Sequence, residues 1–270
     1  MKIRAYVEEM FQSMLDAARF QSHPPEFLIT HPLTESRITD AKLRAQQYPH
    51  KQVEPNETFE LVRVRAQFHL MTDFNKALQI FQSNLKADPL NATAYRYGTV
   101  LAYNELGNYQ QANNTVDELL AKDPDNIFFV SAKAEIEANQ KNFNSAIARM
   151  QTALKKYPNS DPLNIVLSQI MIKAGKYKDA ESLLAEHSKR RPKDDYVWYL
   201  LAEAHGLAGD ILGVHTARSE YFLLNGLYDK AESHLRLAMR MVKDDEYTRA
   251  RLEMKLKEVQ RLRREEMQQN

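Results

Sequence analysis

Cysteine is missing from this 270-residue chain. No disulfide can staple it and no thiolate zinc site can form, and the absence suits a reducing or an oxidising compartment equally. Glycine is almost as scarce, at 7 residues. That is too few for a Gly-rich phosphate loop or for the many turns of a sheet protein. No stretch approaches 18 consecutive apolar residues, so nothing in the sequence reads as a membrane-spanning helix. Neither sign of charge prevails: 37 Lys and Arg face 36 Asp and Glu, a net charge of +1. A dedicated nucleic-acid binder would need a basic face to neutralise phosphates, and this balance argues against one. Met1-Lys2-Ile3-Arg4 runs straight into charged sequence without the apolar core of a secretory signal, so these residues carry no address. No His-Glu-x-x-His pair occurs, and the histidines are dispersed, with no two at i, i+4 spacing on a helix.

What remains is an ordinary folded-protein composition, 43% hydrophobic and 27% charged, with almost no strand-like alternation. It reads as nearly all helix, and a period runs through it. Pro89, Pro124, Pro158 and Pro192 follow one another at intervals of 34 or 35 residues. Ala77, Ala112, Ala146 and Ala180 keep the same beat. Each alanine is preceded by a polar-aromatic turn signature containing Phe74, Tyr109, Phe143 or Tyr177, and is followed by an amphipathic run that ends at the proline.

Two registers agreeing over four copies point to a repeat architecture, and the spacing resembles the 34-residue tetratricopeptide repeat, a pair of antiparallel helices. The small alanines would let paired helices approach closely, and the aromatics would wedge between them. Each proline would stop a second helix, because the residue before proline is biased away from helical geometry. The expected fold is therefore all-α, a tetratricopeptide-repeat superhelix with a helical extension at the N-terminus and a capping helix at the C-terminus.

The units are expected at 58–91, 92–126, 127–160 and 161–194, followed by an irregular part over 195–244. There the distance from Ala180 to Ala231 is one and a half repeats. The simplest reading is that a helix over 210–224 serves twice, closing one hairpin and opening the next. The tail, 245–270, carries Leu252, Leu256, Val259 and Leu262 at helical spacing among mixed charges, as a terminal capping helix would.

Residues 1–50 differ in character, and a polar linker over 51–57 joins them to the repeats. Tyr6 to Arg19 is amphipathic, with Val7, Met10, Phe11, Met14, Leu15 and Ala18 on one face, and Ser22-His23-Pro24-Pro25 breaks it. The run Pro24 to Ile38, with Thr30-His31-Pro32 and Glu35-Ser36-Arg37-Ile38 at its centre, resembles the end of the peptidase domain of zinc metallopeptidases fused to tetratricopeptide repeats in the periplasm of Gram-negative bacteria. The irregular array over 195–241 is similar to the carboxy-terminal half of that family. The resemblance implies zinc in the parent family, on a His-Glu-x-x-His helix upstream of these residues. It also implies that His31 is an accessory zinc ligand in a full-length context, with Arg37 nearby. By residue physics alone, a His before Pro is first a loop residue with local hydrogen bonds. No catalytic residue, cofactor or metal is expected in this chain by itself, and whether it takes part in hydrolysis is left open.

A solenoid of helix pairs presents a curved face lined by its first helices. Transferring the repeat's usual inward positions to this sequence gives Phe59, Val62, Tyr97, Asn104, Glu105, Glu135, Asn139, Gln169 and Lys173 as the protein-binding groove. Repeated basic residues of the kind that clamp a terminal carboxylate are absent, so no such ligand is expected. The expected role is a protein-interaction scaffold. In the family context it is the repeat domain of an envelope protease and chaperone, with outer-membrane barrel-assembly components and unfolded outer-membrane proteins as partners. Other readings are an incomplete part of a zinc peptidase, or an unrelated adaptor in the cytoplasm. The apolar face of the first helix, which would rest on a peptidase domain, suggests a homodimer through that helix when the domain is missing.

Overall fold

The computed structural model describes residues 56–269. The segment 1–50, with His31 and Arg37, lies outside the described residues, and so does the expected dimer contact through its helix. The described residues hold twelve α-helices: α1 (Glu57–His69), α2 (Phe74–Ala87), α3 (Ala92–Glu105), α4 (Tyr109–Lys122), α5 (Ile127–Asn139), α6 (Phe143–Lys156), α7 (Asp161–Lys173), α8 (Tyr177–Arg190), α9 (Asp195–Ala208), α10 (Ile211–Leu224), α11 (Tyr228–Met241) and α12 (Glu246–Gln269). They make an all-α solenoid of antiparallel pairs, with a short 3-10 turn at Pro89–Asn91.

The punctuation of the sequence becomes the punctuation of the fold. Second helices start on the aromatics Phe74, Tyr109, Phe143 and Tyr177, and they end at Ala87, Lys122, Lys156 and Arg190, two residues before each proline. The residues directly before the prolines, Asp88, Asp123, Tyr157 and Arg191, have φ of −131°, −139°, −126° and −125° with ψ between 62° and 85°. That is the departure from helical geometry that the proline ring forces on its predecessor. Starts are fixed by caps: the carboxylates of Asp73, Asp194 and Asp210 accept from the backbone N–H groups of Lys76, Val197 and Gly213.

The periodic alanines occupy the closest approaches. Ala77, Ala112, Ala146, Ala180 and Ala231 are all 0% exposed. Larger side chains would push the paired helices apart at these points. Second helices bury little else; α2, for example, buries only Ala77 and Phe81. First helices bury far more, because each is packed against second helices and also against its own kind. α3 buries nine residues, from Ala94 to Asn104. α1 touches α3, α3 touches α5, α5 touches α7 and α7 touches α9, so the first helices form a continuous inner row.

The turns after α3, α5, α7 and α9 each hold one residue in the left-handed region. Gly107, Gly175 and Gly209 supply it with φ of 72°, 73° and 82°, and Lys141 adopts it with a side chain, at 64°. The same turn recurs after α10, at Gly226 with φ 70°. So α10 follows a first-to-second turn and also precedes one. It packs on α9 before it and on α11 after it, and is used once as a second helix and once as a first. Beyond it, Leu252 and Val259 of α12 bury against Ala231, Leu235 and Ala238 of α11, which closes the last apolar face.

Candidate groove along the first helices

The inner row leaves a groove of about 950 Å³ running across α1, α3, α5, α7 and α9. Its lining repeats with the helical turn: Val62 and Ala66 on α1, Leu101 and Glu105 on α3, Ser131 and Glu135 on α5, Ile165 and Gln169 on α7, Tyr196 and Glu203 on α9. Residues three and four apart share one face of a helix, so each first helix donates one stripe and the five stripes lie side by side.

Most of the sequence-expected residues meet here. Val62, Asn104, Glu105, Glu135, Asn139, Gln169 and Lys173 all line the groove. Two differ. Phe59 is 57% exposed but lies outside the lining. Tyr97, expected on the binding surface, is wholly buried. Its ring sits 5.9 Å from that of Phe128 and 6.0 Å from that of Phe129, so α5 covers a position that a repeat register alone places at the surface.

Polar side chains join the stripes into rungs. Asn139 on α5 donates to Asn104 on α3 at 3.1 Å, and Lys173 on α7 donates to Asn139 at 3.2 Å. The three residues stand 35 and 34 positions apart in the chain, one per repeat. Arg65 spans a longer interval. Its guanidinium donates to the Tyr97 hydroxyl at 2.7 Å and to Glu135 at 2.9 Å, which ties α1 to α3 and α5. Burial pushes the Tyr97 phenol up to about 12, against the pull of Arg65. Burial also works against the Arg65 charge, but Glu135 and the Tyr97 hydroxyl outweigh it and hold its pKa above the usual guanidinium value. The pair is a fixed strut in the groove floor.

At the α9 end the surface turns aromatic. Gln169 donates to the Tyr196 hydroxyl at 2.8 Å, and Tyr196 and Tyr199 stack with centroids 6.2 Å apart and planes 7° from parallel. Tyr221 of α10 leans on Tyr199 at 5.9 Å. Both Tyr196 and Tyr199 are nearly half exposed. Sequence reading missed this platform, although Tyr196 and Tyr199 are three residues apart in the expected first helix. The exposed carboxylates of Glu105 and Glu203 have no lysine or arginine within ion-pair distance among the described residues. The groove therefore offers apolar stripes, amides, aromatic rings and uncommitted carboxylates.

Residues 97–161 and 138–204 match the tetratricopeptide repeat. The chain is also similar to the beta-barrel assembly-enhancing protease of Escherichia coli (strain K12), 30% identical over 256 residues, or 93% of this chain and 52% of that protein. The putative beta-barrel assembly-enhancing protease of Vibrio cholerae is 31% identical over 250 residues, again 52% of its length. This is a tetratricopeptide-repeat chain homologous to the beta-barrel assembly-enhancing proteases. It spans about half the length of the curated relatives it matches. No helix among the described residues is long and apolar enough to cross a membrane.

Proposed function

We propose that this chain is a protein-interaction scaffold that holds a segment of another protein along the groove of its first helices. In this reading it serves outer-membrane barrel assembly in the periplasm, and its guests are assembly components or outer-membrane proteins that have not yet folded. The observation that carries the binding role is the inner row itself. Five helices from successive repeats present one aligned stripe each, with apolar side chains beside amides that can pair with a guest backbone. The placement in barrel assembly rests on the relatives, whose name supplies it. Those relatives are proteases by name. The groove residues are assigned binding, and zinc and peptide cleavage are not assigned to them.

Photo-crosslinking tests both parts. A crosslinking amino acid placed at Gln169 or Tyr199 in the groove, or at Lys189 on the outer face of α8 as a control, is activated in intact cells of a Gram-negative host. The groove positions should give discrete adducts that include an outer-membrane barrel-assembly component or an outer-membrane protein, and Lys189 should not. Adducts equally abundant from Lys189 would end the groove assignment. Groove adducts made only with cytoplasmic proteins would leave the groove and end the placement.

A further inference from the structure

Glu181 on α8, His205 near the end of α9 and Asp210 at the start of α10 converge on one point. His205 Nδ1 lies 2.9 Å from Asp210 Oδ2 and 3.6 Å from Glu181 Oε1. One donor atom from each of the three falls within 4.8 Å of the other two, and all three residues are partly buried. We infer that this cluster binds a divalent transition-metal ion of the zinc class, through one imidazole nitrogen and two carboxylate oxygens.

Four observations carry this. First, His205 Nδ1 is buried yet has no hydrogen-bond partner: the carboxylates approach it without the geometry of a hydrogen bond. A buried imidazole nitrogen facing two carboxylates has a use as a ligand if a cation sits among them. Second, neither Glu181 nor Asp210 has a lysine or arginine within ion-pair distance among the described residues; each pairs only with His205. Two carboxylates gathered at one spot repel unless a cation or proton joins them.

Third, Gly213 makes the room. A Cβ there would stand 2.3 Å from His205 Nδ1 and 2.4 Å from Asp210 Oδ2. Fourth, the repeat does not require the triple. One period earlier the corresponding residues are Ile147, Met171 and Lys176, and two periods earlier they are Asn113, Glu137 and Asn142. Gly213 itself stands where earlier units have Asp179 and Ser145. Three ligand types and the space for them are thus introduced together, once.

The chemistry selects the ion. Magnesium and calcium ask for six or more oxygens, whereas an imidazole with two carboxylates and a water suits a tetrahedral zinc-class ion. Ligand atoms about 2.0–2.1 Å from such an ion stand roughly 3.3 Å from one another in a tetrahedron, between the two distances found here. The site joins α8 to the α9–α10 hairpin, where the regular array gives way to the doubly used helix. It involves neither the groove residues nor His31.

The test uses the tag-free full chain, stripped with a chelator and titrated with zinc chloride at pH 7.5 by calorimetry and thermal melting, with magnesium chloride in parallel. The expected result is a zinc-dependent rise in Tm and saturable binding at micromolar Kd, with no response to magnesium. Glu181→Gln, which keeps shape and removes only charge, should weaken binding roughly tenfold or more. His205→Asn should weaken it further, and a His215→Asn, His234→Asn double variant should bind as the parent does. No zinc-dependent change in Tm, undiminished binding by Glu181→Gln, or binding lost only in the His215, His234 variant would each overturn the assignment. Glu181→Gln decides the matter even if His205→Asn fails to fold.

Discussion

Gly98 on α3 faces the ring of Phe81 on α2 so closely that a Cβ on Gly98 would meet it at 2.7 Å. Phe81 is itself fully buried, so the ring has nowhere to retreat. Gly98→Ala should therefore lower stability by about 1–3 kcal/mol, as overpacking of a filled core does, although alanine is the better helix former. A denaturant titration followed by circular dichroism checks it. An unchanged midpoint would mean that α2 and α3 are less tightly joined than this contact implies.

Lys141 offers the opposite opportunity. It takes φ 64° in the turn between α5 and α6, where the turns after α3, α7 and α9 use glycine. A side chain in the left-handed region costs on the order of 1–2 kcal/mol. Lys141→Gly should raise the unfolding free energy by about 1 kcal/mol, seen as a higher denaturation midpoint. The same substitution at Lys155, within helix α6, should lower it.

Arg65 couples three first helices, and its removal should be felt in two places. Arg65→Leu leaves the Tyr97 hydroxyl without its donor and Glu135 without its cation. Loss of one partner of such a pair costs about 3–5 kcal/mol when fully buried, and less here because Glu135 is partly exposed. Arg65→Leu with Glu135→Leu should recover part of the loss, since no charge is then stranded. A double-mutant cycle on thermal unfolding reads the coupling, and simple additivity would show the strut to be idle.

Acid should loosen the second half of the array. His187 is 0% exposed, and burial lowers its pKa despite the Asp161 carboxylate nearby. Burial first, then His215 and Arg218, lowers the pKa of His234, whose Nδ1 lies 2.9 Å from Nδ1 of His215. A histidine with a depressed folded pKa favours the folded state fully above its unfolded value, about 6.5. That contribution is lost as pH falls from there toward the folded pKa, because the unfolded chain takes up the proton first. Tm should drop as pH falls below about 6.5 for this reason. His187→Leu, which also removes the orphaned Nε2, should raise stability at neutral pH by about 1 kcal/mol and flatten the drop. Melting curves across that range for His187→Leu and His234→Gln test both parts.

Much of this fold could be read from the period. The alanines marked the closest helix contacts, the aromatics marked the starts of second helices, and the prolines marked their ends to within two residues. These features act locally, through sterics within one turn or one hairpin, and so they leave a local trace. The groove was legible only in part. A repeat register tells which side of a helix a residue occupies but not how deep it lies, and Tyr97 was misplaced because the next first helix covers it. The Arg65–Glu135 pair was accessible in principle, since 65, 100 and 135 stand two periods apart in all. The histidine contacts were not. His215 and His234 meet across a hairpin, 19 residues apart, and Glu181, His205 and Asp210 come from three helices. A search for i, i+4 pairs within one helix cannot see either.

The doubled use of α10 also sets a length. First-helix contacts run from α1 to α9, and the half-period that follows puts the next helix of that kind out of phase. Five helices spaced about 8–10 Å apart span roughly 30–40 Å between the outermost axes. An extended polypeptide covers that distance in about a dozen residues at ~3.3 Å each. Under the proposed function, the irregular unit would act as an end stop at the α9 side of the groove, so that an extended guest meets the five described first helices over about a dozen residues.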